Sequence, residues 1–85
     1  MSNKLETLKK RLVYRASYRG TKEMDILLGR FVKKYIDEFN ETYLNELENF
    51  LEFEDEVILN FYQHDIIKEH IDQNKVSKIF KNFKI

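Results

Sequence analysis

The spacing of apolar residues between Met24 and Phe39 constrains the fold of this chain more than any other feature. Large apolar side chains recur there every three or four residues, which places them on one face of an α-helix. These residues are Met24, Leu27, Leu28, Phe31, Val32, Tyr35, Ile36 and Phe39. We therefore predict a long amphipathic helix, and we expect it to form the spine of the protein's core.

Weaker patterns of the same kind predict four further helices. They cover residues 4–16, 41–53, 56–63 and about 72–83. The expected N-caps are Ser2 or Asn3 for the first of these helices, Asn40 for the second and Asp55 for the third, and Asp72 lies near the start of the fourth. Their expected inner faces are Leu5, Leu8 and Leu12; Leu44, Leu47, Phe50 and Leu51; Ile58, Leu59, Phe61 and Tyr62; and Val76, Ile79, Phe80 and Phe83. Residues 64–71 stay ambiguous, because Ile66, Ile67 and Ile71 fit either a loop or a helix.

Composition supports helices over strands. The chain has no proline and only two glycines, Gly20 and Gly29, whereas strands joined by tight turns usually need more of both. A length of 85 residues suits one domain rather than two. The predicted fold is therefore an all-α, compact five-helix bundle that forms a single domain over residues 1–85.

Charge is segregated along the chain, although the formal net charge is zero. Residues 1–36 hold ten basic and three acidic residues, a balance of +7, and residues 37–72 hold one lysine and twelve acids, a balance of −11. Residues 73–85 add four lysines. This polarity indicates either attraction within the molecule or separate basic and acidic faces for one shaped partner.

The chain offers little for catalysis. It contains no cysteine, which removes thiolate nucleophiles and sulfur-based zinc sites. The spacing of His64 and His70 is not the i, i+4 spacing of a helical metal pair. The nearby acids Asp65, Glu69 and Asp72 belong to a segment that is acidic throughout. Neither a phosphate-binding loop nor a serine nucleophile motif occurs, so we predict no enzymatic activity and no metal site.

The cellular location is predicted from the length of the apolar segments in the sequence. Residues 1–10 lack the apolar stretch of a secretory signal, and no apolar run approaches the ~20 residues that span a bilayer. We therefore expect a cytoplasmic protein that does not insert into membranes.

The most specific local feature is the RGTKE sequence at residues 19–23. Gly20 tolerates a positive φ and lacks a side chain, so another backbone could approach it closely. Either Thr21 or Gly20 can cap the spine helix, and Glu23 falls in its first turn, where the helix dipole favours a carboxylate. From these properties alone, an ordinary solvated turn is the more common explanation.

The surrounding residues resemble a known family. Arg15 precedes the RGTKE sequence, Asp25 follows Glu23, and LLGRF comes next at residues 27–31. Together they resemble the RGxxE segment of the succinate dehydrogenase assembly factor 2 family, whose bacterial form is SdhE. The likeness continues more thinly along most of the chain.

A second block supports the resemblance. LEFED at residues 51–55, followed by Asn60 and Phe61, is similar to the family's LLE-x-x-D segment and the aromatic residue after it. This chain departs from the family in two places. The family often has tryptophan in place of Phe61, and proline or glycine where this chain has residues 64–68.

The resemblance implies a five-helix fold and a role in flavoprotein maturation. Members bind the flavoprotein subunit of succinate dehydrogenase, sometimes that of fumarate reductase, and promote covalent linkage of FAD to a histidine of that client. The factor itself would hold no cofactor tightly, because the bond-forming chemistry belongs to FAD and the client. Carried over by position, Arg19, Gly20 and Glu23 would form the contact with the client, flanked by Arg15 and Asp25.

Two other functions remain open at this point. One is a helical protein-interaction module unconnected with flavin. The other is a small nucleic-acid-binding bundle, because basic and aromatic residues that could grip phosphates and stack bases are interleaved near the turn. These residues are Arg11, Tyr14, Arg15, Tyr18, Arg19 and Lys22. The acidic middle segment would repel the same polyanion, so we expect no nucleic-acid partner and a monomer in the absence of a client.

Overall fold

The structure, a computed structural model, describes residues 3–84. Its elements are α1 (Asn3–Ser17), α2 (Lys22–Tyr35), α3 (Glu41–Phe50), α4 (Asp55–His64), a short 3₁₀ helix (Ile71–Gln73) and α5 (Lys75–Lys81). No strand occurs in this part of the chain, and the predicted all-α fold of five helices is confirmed. Of the predicted N-caps of α1, Ser2 and the side chain of Asn3 lie outside the part of the chain that the structure describes.

Helix α2 is the predicted spine, but it ends at Tyr35 with Ile36 as its C-cap, whereas the apolar spacing predicted a helix that continues to Phe39. Its inner face is buried, and Leu28, Phe31 and Val32 are fully inaccessible to solvent. Phe31 lies at the centre of an aromatic cluster, with ring centroids 5.0 Å from Phe80 and 6.3 Å from Phe50. Side chains from all five α-helices join this one core. The radius of gyration is 12.2 Å, close to the ~12 Å expected for a compact chain of this length.

Glycine has a packing role where α1 meets α2. A Cβ atom added to Gly29 would lie 3.2 Å from Oγ of Ser17, which is tighter than ordinary van der Waals contact. The absence of a side chain at Gly29 therefore allows the end of α1 to lie close against α2. This contact anchors the segment that leads into residues 18–21, called the Gly20 turn below.

Two predicted N-caps are confirmed. Oγ1 of Thr21 accepts the backbone N–H of Met24 at 3.3 Å, and Oδ1 of Asn40 accepts that of Tyr43 at 2.9 Å. Each bond satisfies a first-turn N–H group that has no partner inside the helix. These caps fix the starts of α2 and α3.

The junction between α3 and α4 differs from the prediction. Helix α3 ends at Phe50 rather than near residue 53, because residues 51–53 form a turn in which the N–H of Phe53 bonds to the carbonyl of Phe50. Asp55 is not the N-cap of α4. Glu54 occupies that position without a side-chain bond, and Asp55 is the first helical residue, because its carboxylate is engaged by an arginine described below.

The C-terminal segment also begins differently. The predicted helix from about residue 72 is divided into the 3₁₀ helix and α5, and Asn74 between them is the N-cap. The Asn74 side chain is buried, accepts the N–H groups of Val76 and Ser77, and donates to the carbonyl of Glu46 at 2.9 Å. A single amide thus starts α5 and joins it to α3.

The ambiguous connection is largely a loop. Residues 65–70, called the 65–70 loop below, are all exposed, and Ile66 and Ile67 lie on the surface, whereas Ile71 is fully buried. Asp65, Glu69 and His70 have positive φ angles of 57°, 55° and 60°. Within residues 3–84, every helix is too short or too polar to cross a lipid bilayer.

Candidate functional site

The Gly20 turn presents an open backbone surface at the start of α2. Gly20 has a φ of +121°, which residues with side chains rarely adopt, and no atom beyond its two chain neighbours lies within 4 Å of the position a Cβ would occupy. Gly20, Thr21, Lys22 and Glu23 are all exposed. The glycine therefore meets both conditions for close approach by another chain, a special backbone conformation and free space in front of it.

Asp25 holds the turn in place from inside α2. One oxygen of its carboxylate, Oδ1, accepts the backbone N–H of Arg19 and that of Gly20, the latter at 3.3 Å. The N–H of Asp25 in turn donates to the carbonyl of Thr21 at 2.9 Å. Two N–H groups that would otherwise be free in the turn are thus bound by a charged acceptor, which is the stronger kind of hydrogen bond.

Arg19 fastens the same turn to the junction between α3 and α4. Its Nε donates to Asp55 at 2.8 Å. Its two terminal nitrogens donate to the carbonyls of Leu51 and Phe53, both at 2.7 Å. The Arg19 side chain is only 11% exposed. It binds two carbonyls of the turn that follows α3, so each of its three guanidinium nitrogens has a partner within the protein.

Two further ion pairs continue along α1. Arg15 pairs with Glu52 at 2.7 Å and Arg11 pairs with Glu48 at 3.1 Å. With the Arg19–Asp55 pair, they join one side of α1 and the Gly20 turn to the acidic side of α3 and α4. The segregated charge of the sequence thus corresponds to attraction within the molecule, one of the two alternatives it indicated.

These pairs weaken the case for nucleic-acid binding. Of the four basic residues in the predicted phosphate-binding stretch, Arg11, Arg15 and Arg19 each have a carboxylate partner within the protein. Tyr14 and Tyr18 are exposed, but their rings contact each other with centroids 4.6 Å apart. Phosphates would have to compete with carboxylates that are already bound.

The predicted site residues therefore divide into two groups. Glu23 and Gly20 face solvent, whereas Arg15, Arg19 and Asp25 have internal partners. Client contact by these five residues stays a prediction. The structure adds a role that sequence reasoning missed, because Asp55 and the carbonyls of Leu51 and Phe53 complete the framework of the turn. The one sequence signal for this role is the presence of both the RGxxE block and the LEFED block, which would indicate it if the two blocks were assumed to contact each other.

Residues 3–84 contain no group of three or more His, Cys, Asp or Glu side chains arranged to hold a metal ion. A shallow groove of about 290 Å³ lies between α2 and α4, next to Glu23. The fold and this turn define a small helical bundle with a braced, solvent-facing turn beside a groove.

The chain belongs to the family described as the flavinator of succinate dehydrogenase, which its residues 10–84 match. Among curated relatives, the mitochondrial succinate dehydrogenase assembly factor 2 of Scheffersomyces stipitis is 44% identical over 48 residues, covering 56% of this chain and 32% of that protein. The FAD assembly factor SdhE of Acetobacter pasteurianus is 43% identical over 51 residues, covering 60% of this chain and 47% of that protein.

A third relative, the mitochondrial succinate dehydrogenase assembly factor 2-B of Drosophila willistoni, is 53% identical over 36 residues, or 42% of this chain and 23% of that protein. In each of these three matches, the aligned region spans less than half the length of the relative. No solved structure shows significant similarity to the chain. The predicted family membership is confirmed.

Proposed function

We propose that this protein binds the flavoprotein subunit of succinate dehydrogenase and promotes covalent attachment of FAD to it. Membership in the flavinator family and the names of the relatives support the proposal. The observation that carries it is the Gly20 turn, whose glycine at φ +121° faces open space beside the exposed Glu23. A partner's backbone can reach this turn without any rearrangement of the bundle.

In the proposed mechanism, the factor acts by positioning. The backbone at Gly20 lies against the client near its flavin, and Glu23 accepts hydrogen bonds from client donors. Arg19 and Asp25 keep the turn in the docking conformation, so little ordering is needed on binding. The client is then held with its histidine near the flavin ring, which is a positioning effect. The bond itself forms between FAD and the client.

The proposal has consequences for partners and location. FAD is the client's cofactor, so the factor needs no tightly bound cofactor of its own and no catalytic residue. Fumarate reductase, which carries a comparable flavoprotein subunit, is a second client under the same proposal. The factor acts as a cytoplasmic monomer that leaves after flavinylation, and its interface with the client is therefore modest rather than obligate.

The test uses a strain that lacks this protein, complemented with the wild type, Gly20→Arg or Glu23→Ala. Covalent flavin is read as in-gel fluorescence of the flavoprotein subunit, with the factor's level checked by immunoblot. We expect the wild type to restore fluorescence and both variants to fail. Wild-type fluorescence from both variants at normal expression would overturn the assignment of the turn.

Gly20→Ala is the matched control for Gly20→Arg. Both place an L side chain at a φ of +121°, a sparsely populated backbone region that costs ~1–3 kcal/mol in strain. Only arginine adds bulk where the client would lie. Retention of more fluorescence by Gly20→Ala than by Gly20→Arg would assign the defect to blocked docking. Equal loss at equal stability would assign it to distortion of the turn.

Co-purification separates this function from a plain interaction module. A tagged copy should recover a flavoprotein from native cells. Consistent recovery of a different partner, without a flavoprotein, would favour the module unconnected with flavin.

A further inference from the structure

A groove beside Glu23 is lined by the kinds of residue that form a binding pocket for a single side chain of a partner. It lies between α2 and α4, has a volume of about 290 Å³, and combines apolar side chains with one carboxylate and one amide. Its lining residues are Glu23, Ile26, Leu27, Leu59, Tyr62 and Gln63. Ile26 is 40% exposed, so an apolar wall faces solvent next to the Gly20 turn.

Glu23 is the uncompensated charge of this groove. The neighbouring carboxylates of Asp25 and Asp55 are bound to the turn and to Arg19. Among the contacts of residues 3–84, Glu23 has neither a salt bridge nor a side-chain hydrogen bond. Four of the five ion pairs there involve other acids, which lie on α3, in the α3–α4 junction, on α4 or in the 65–70 loop. A carboxylate beside exposed apolar surface favours a ligand that supplies both a cation and an aliphatic stem.

The side of the groove formed by Tyr62 is held in place by contacts within the protein. The hydroxyl of Tyr62 donates to the carbonyl of Phe83 at 2.6 Å, and its ring packs against Phe80 with centroids 4.6 Å apart. Leu27 beneath the groove is 6% exposed. A ligand therefore meets a formed surface and little conformational entropy is lost on binding.

A contact of this kind already occurs on α4 itself. Nζ of Lys81 lies 5.4 Å from the centre of the Phe61 ring and donates to the Phe61 carbonyl at 2.8 Å. An aromatic face of α4 and a nearby oxygen thus bind an internal ammonium group. The α2–α4 groove brings a comparable pair together at the surface, because the aromatic residue Tyr62 and the carboxylate of Glu23 both line it.

We propose that the α2–α4 groove binds a long basic side chain, arginine or lysine, of the client flavoprotein. Its aliphatic stem lies on Ile26 and Leu59, and its cation pairs with Glu23. The inference rests on the proposed function, because it names the client chemistry that the same docking site selects. A purely apolar client segment fits less well, since it would strip water from Glu23 without replacing those hydrogen bonds.

The first experiment measures the affinity of the purified factor for the purified apo-flavoprotein subunit by calorimetry. Glu23→Gln keeps the shape of the side chain but removes its charge, and Gln63→Trp fills the groove from an exposed position. We expect Glu23→Gln to weaken binding by about tenfold or more, the loss typical of a hydrogen bond to a charged group. We expect a loss of the same order from Gln63→Trp, because the indole ring occupies the groove. Melting temperatures confirm that the variants are folded.

His64→Trp is the matched control for Gln63→Trp. It places the same bulk at the next exposed residue of α4, which does not line the groove. We expect its affinity to stay within about twofold of the wild type, as is usual for surface changes outside an interface. Equal affinity for Gln63→Trp and His64→Trp would overturn the proposal while leaving docking by the Gly20 turn intact.

The remaining outcomes are also decisive. If the wild type fails to bind any flavoprotein subunit, the proposed function fails and the groove proposal fails with it. If Gln63→Trp instead abolishes a dimer seen by gel filtration, the groove holds a second copy of this chain. That result would overturn the client assignment.

A second experiment identifies the client residue. A photoreactive benzophenone amino acid at position 63 is cross-linked to the bound subunit, and the joined peptide is sequenced. We expect an arginine or lysine in that peptide whose replacement by glutamate weakens the complex. Glu23→Arg should then restore binding to the glutamate variant. A cross-linked peptide without a basic residue would contradict the proposal.

Discussion

The Gly20 turn and the 65–70 loop both contain positive φ angles, but they maintain them in different ways. In the turn, the unusual angle of +121° falls on a glycine, where it costs no steric strain. In the loop, positive angles fall on Asp65, Glu69 and His70, and each side chain raises the conformational energy by ~1–2 kcal/mol, less for an aspartate.

The two segments also differ in what holds them. Asp25 and Arg19 tie the Gly20 turn to α2 and to the α3–α4 junction. In the loop, the N–H of Ile66 bonds to the carbonyl of Asn60 at 3.2 Å, and Asp65 pairs with Lys81. A surface turn that several distant residues brace is suited to present a fixed shape to a partner. The strained loop is a connector between α4 and the 3₁₀ helix.

Arg19→Ala should have the largest effect on stability and tests the bracing directly. It leaves the Asp55 carboxylate and the carbonyls of Leu51 and Phe53 without their partner, and the Arg19 side chain is 11% exposed. We expect a loss of about 3 kcal/mol in the free energy of unfolding, as for a largely buried pair that loses one member. Urea denaturation measures it.

Arg15→Ala is the variant with which the stability loss of Arg19→Ala is compared, because it removes a more exposed ion pair. The Arg15–Glu52 pair is shorter, at 2.7 Å, but its side chains are 31% and 66% exposed, so its removal should cost less than about 1 kcal/mol. Equal losses for the two variants would show that Arg19 does not brace the turn.

Asp25→Ala should have an intermediate effect. It removes the acceptor of two backbone N–H groups, those of Arg19 and Gly20, and we expect a loss of about 1–2 kcal/mol. Amide hydrogen exchange gives a more specific measurement, because the N–H of Gly20 should exchange faster while those in the middle of α2 stay protected. Unchanged exchange at Gly20 would contradict the assigned role.

His70→Gly should change the free energy of unfolding least, and it should raise that free energy rather than lower it. It removes side-chain strain at a φ of 60°, although glycine increases the entropy of the unfolded chain. We expect a net gain of about 0.5 kcal/mol in stability, seen as a higher urea midpoint, with no change in client binding. A loss of stability would mean that the His70 side chain contributes contacts that outweigh its strain.

The helices could be predicted from the sequence where the residues that define them are close together in the chain. The apolar spacing located α2 as far as Tyr35, and the caps Thr21 and Asn40, which lie next to the helices they start, were both confirmed. The part of the spacing that continues to Phe39 lies beyond the end of α2. The end of α3 could not be located this way, because Leu51 is buried and continues the apolar pattern into the turn. The Asn74 cap was missed because apolar spacing extends on both sides of it.

The candidate site shows the same limit. The exposure of Gly20 and Glu23 follows from residue types near a helix start, and the structure agrees. The role of Arg19 depends on Asp55, which lies 36 residues away in the sequence. Spacing arguments contain no such long-range pairing, so an arginine predicted to contact a client was found to bind carboxylate and carbonyl groups of its own chain.

The most direct test of the account is the rate of covalent flavin formation with purified components. Apo-flavoprotein subunit and FAD are mixed with the wild-type factor or Glu23→Ala, and flavin that resists acid precipitation is followed over time. We predict that the wild type accelerates the reaction and that Glu23→Ala, with an unchanged melting temperature, loses most of this acceleration. Full acceleration by Glu23→Ala would contradict the claim that the exposed face of the Gly20 turn and α2 engages the client.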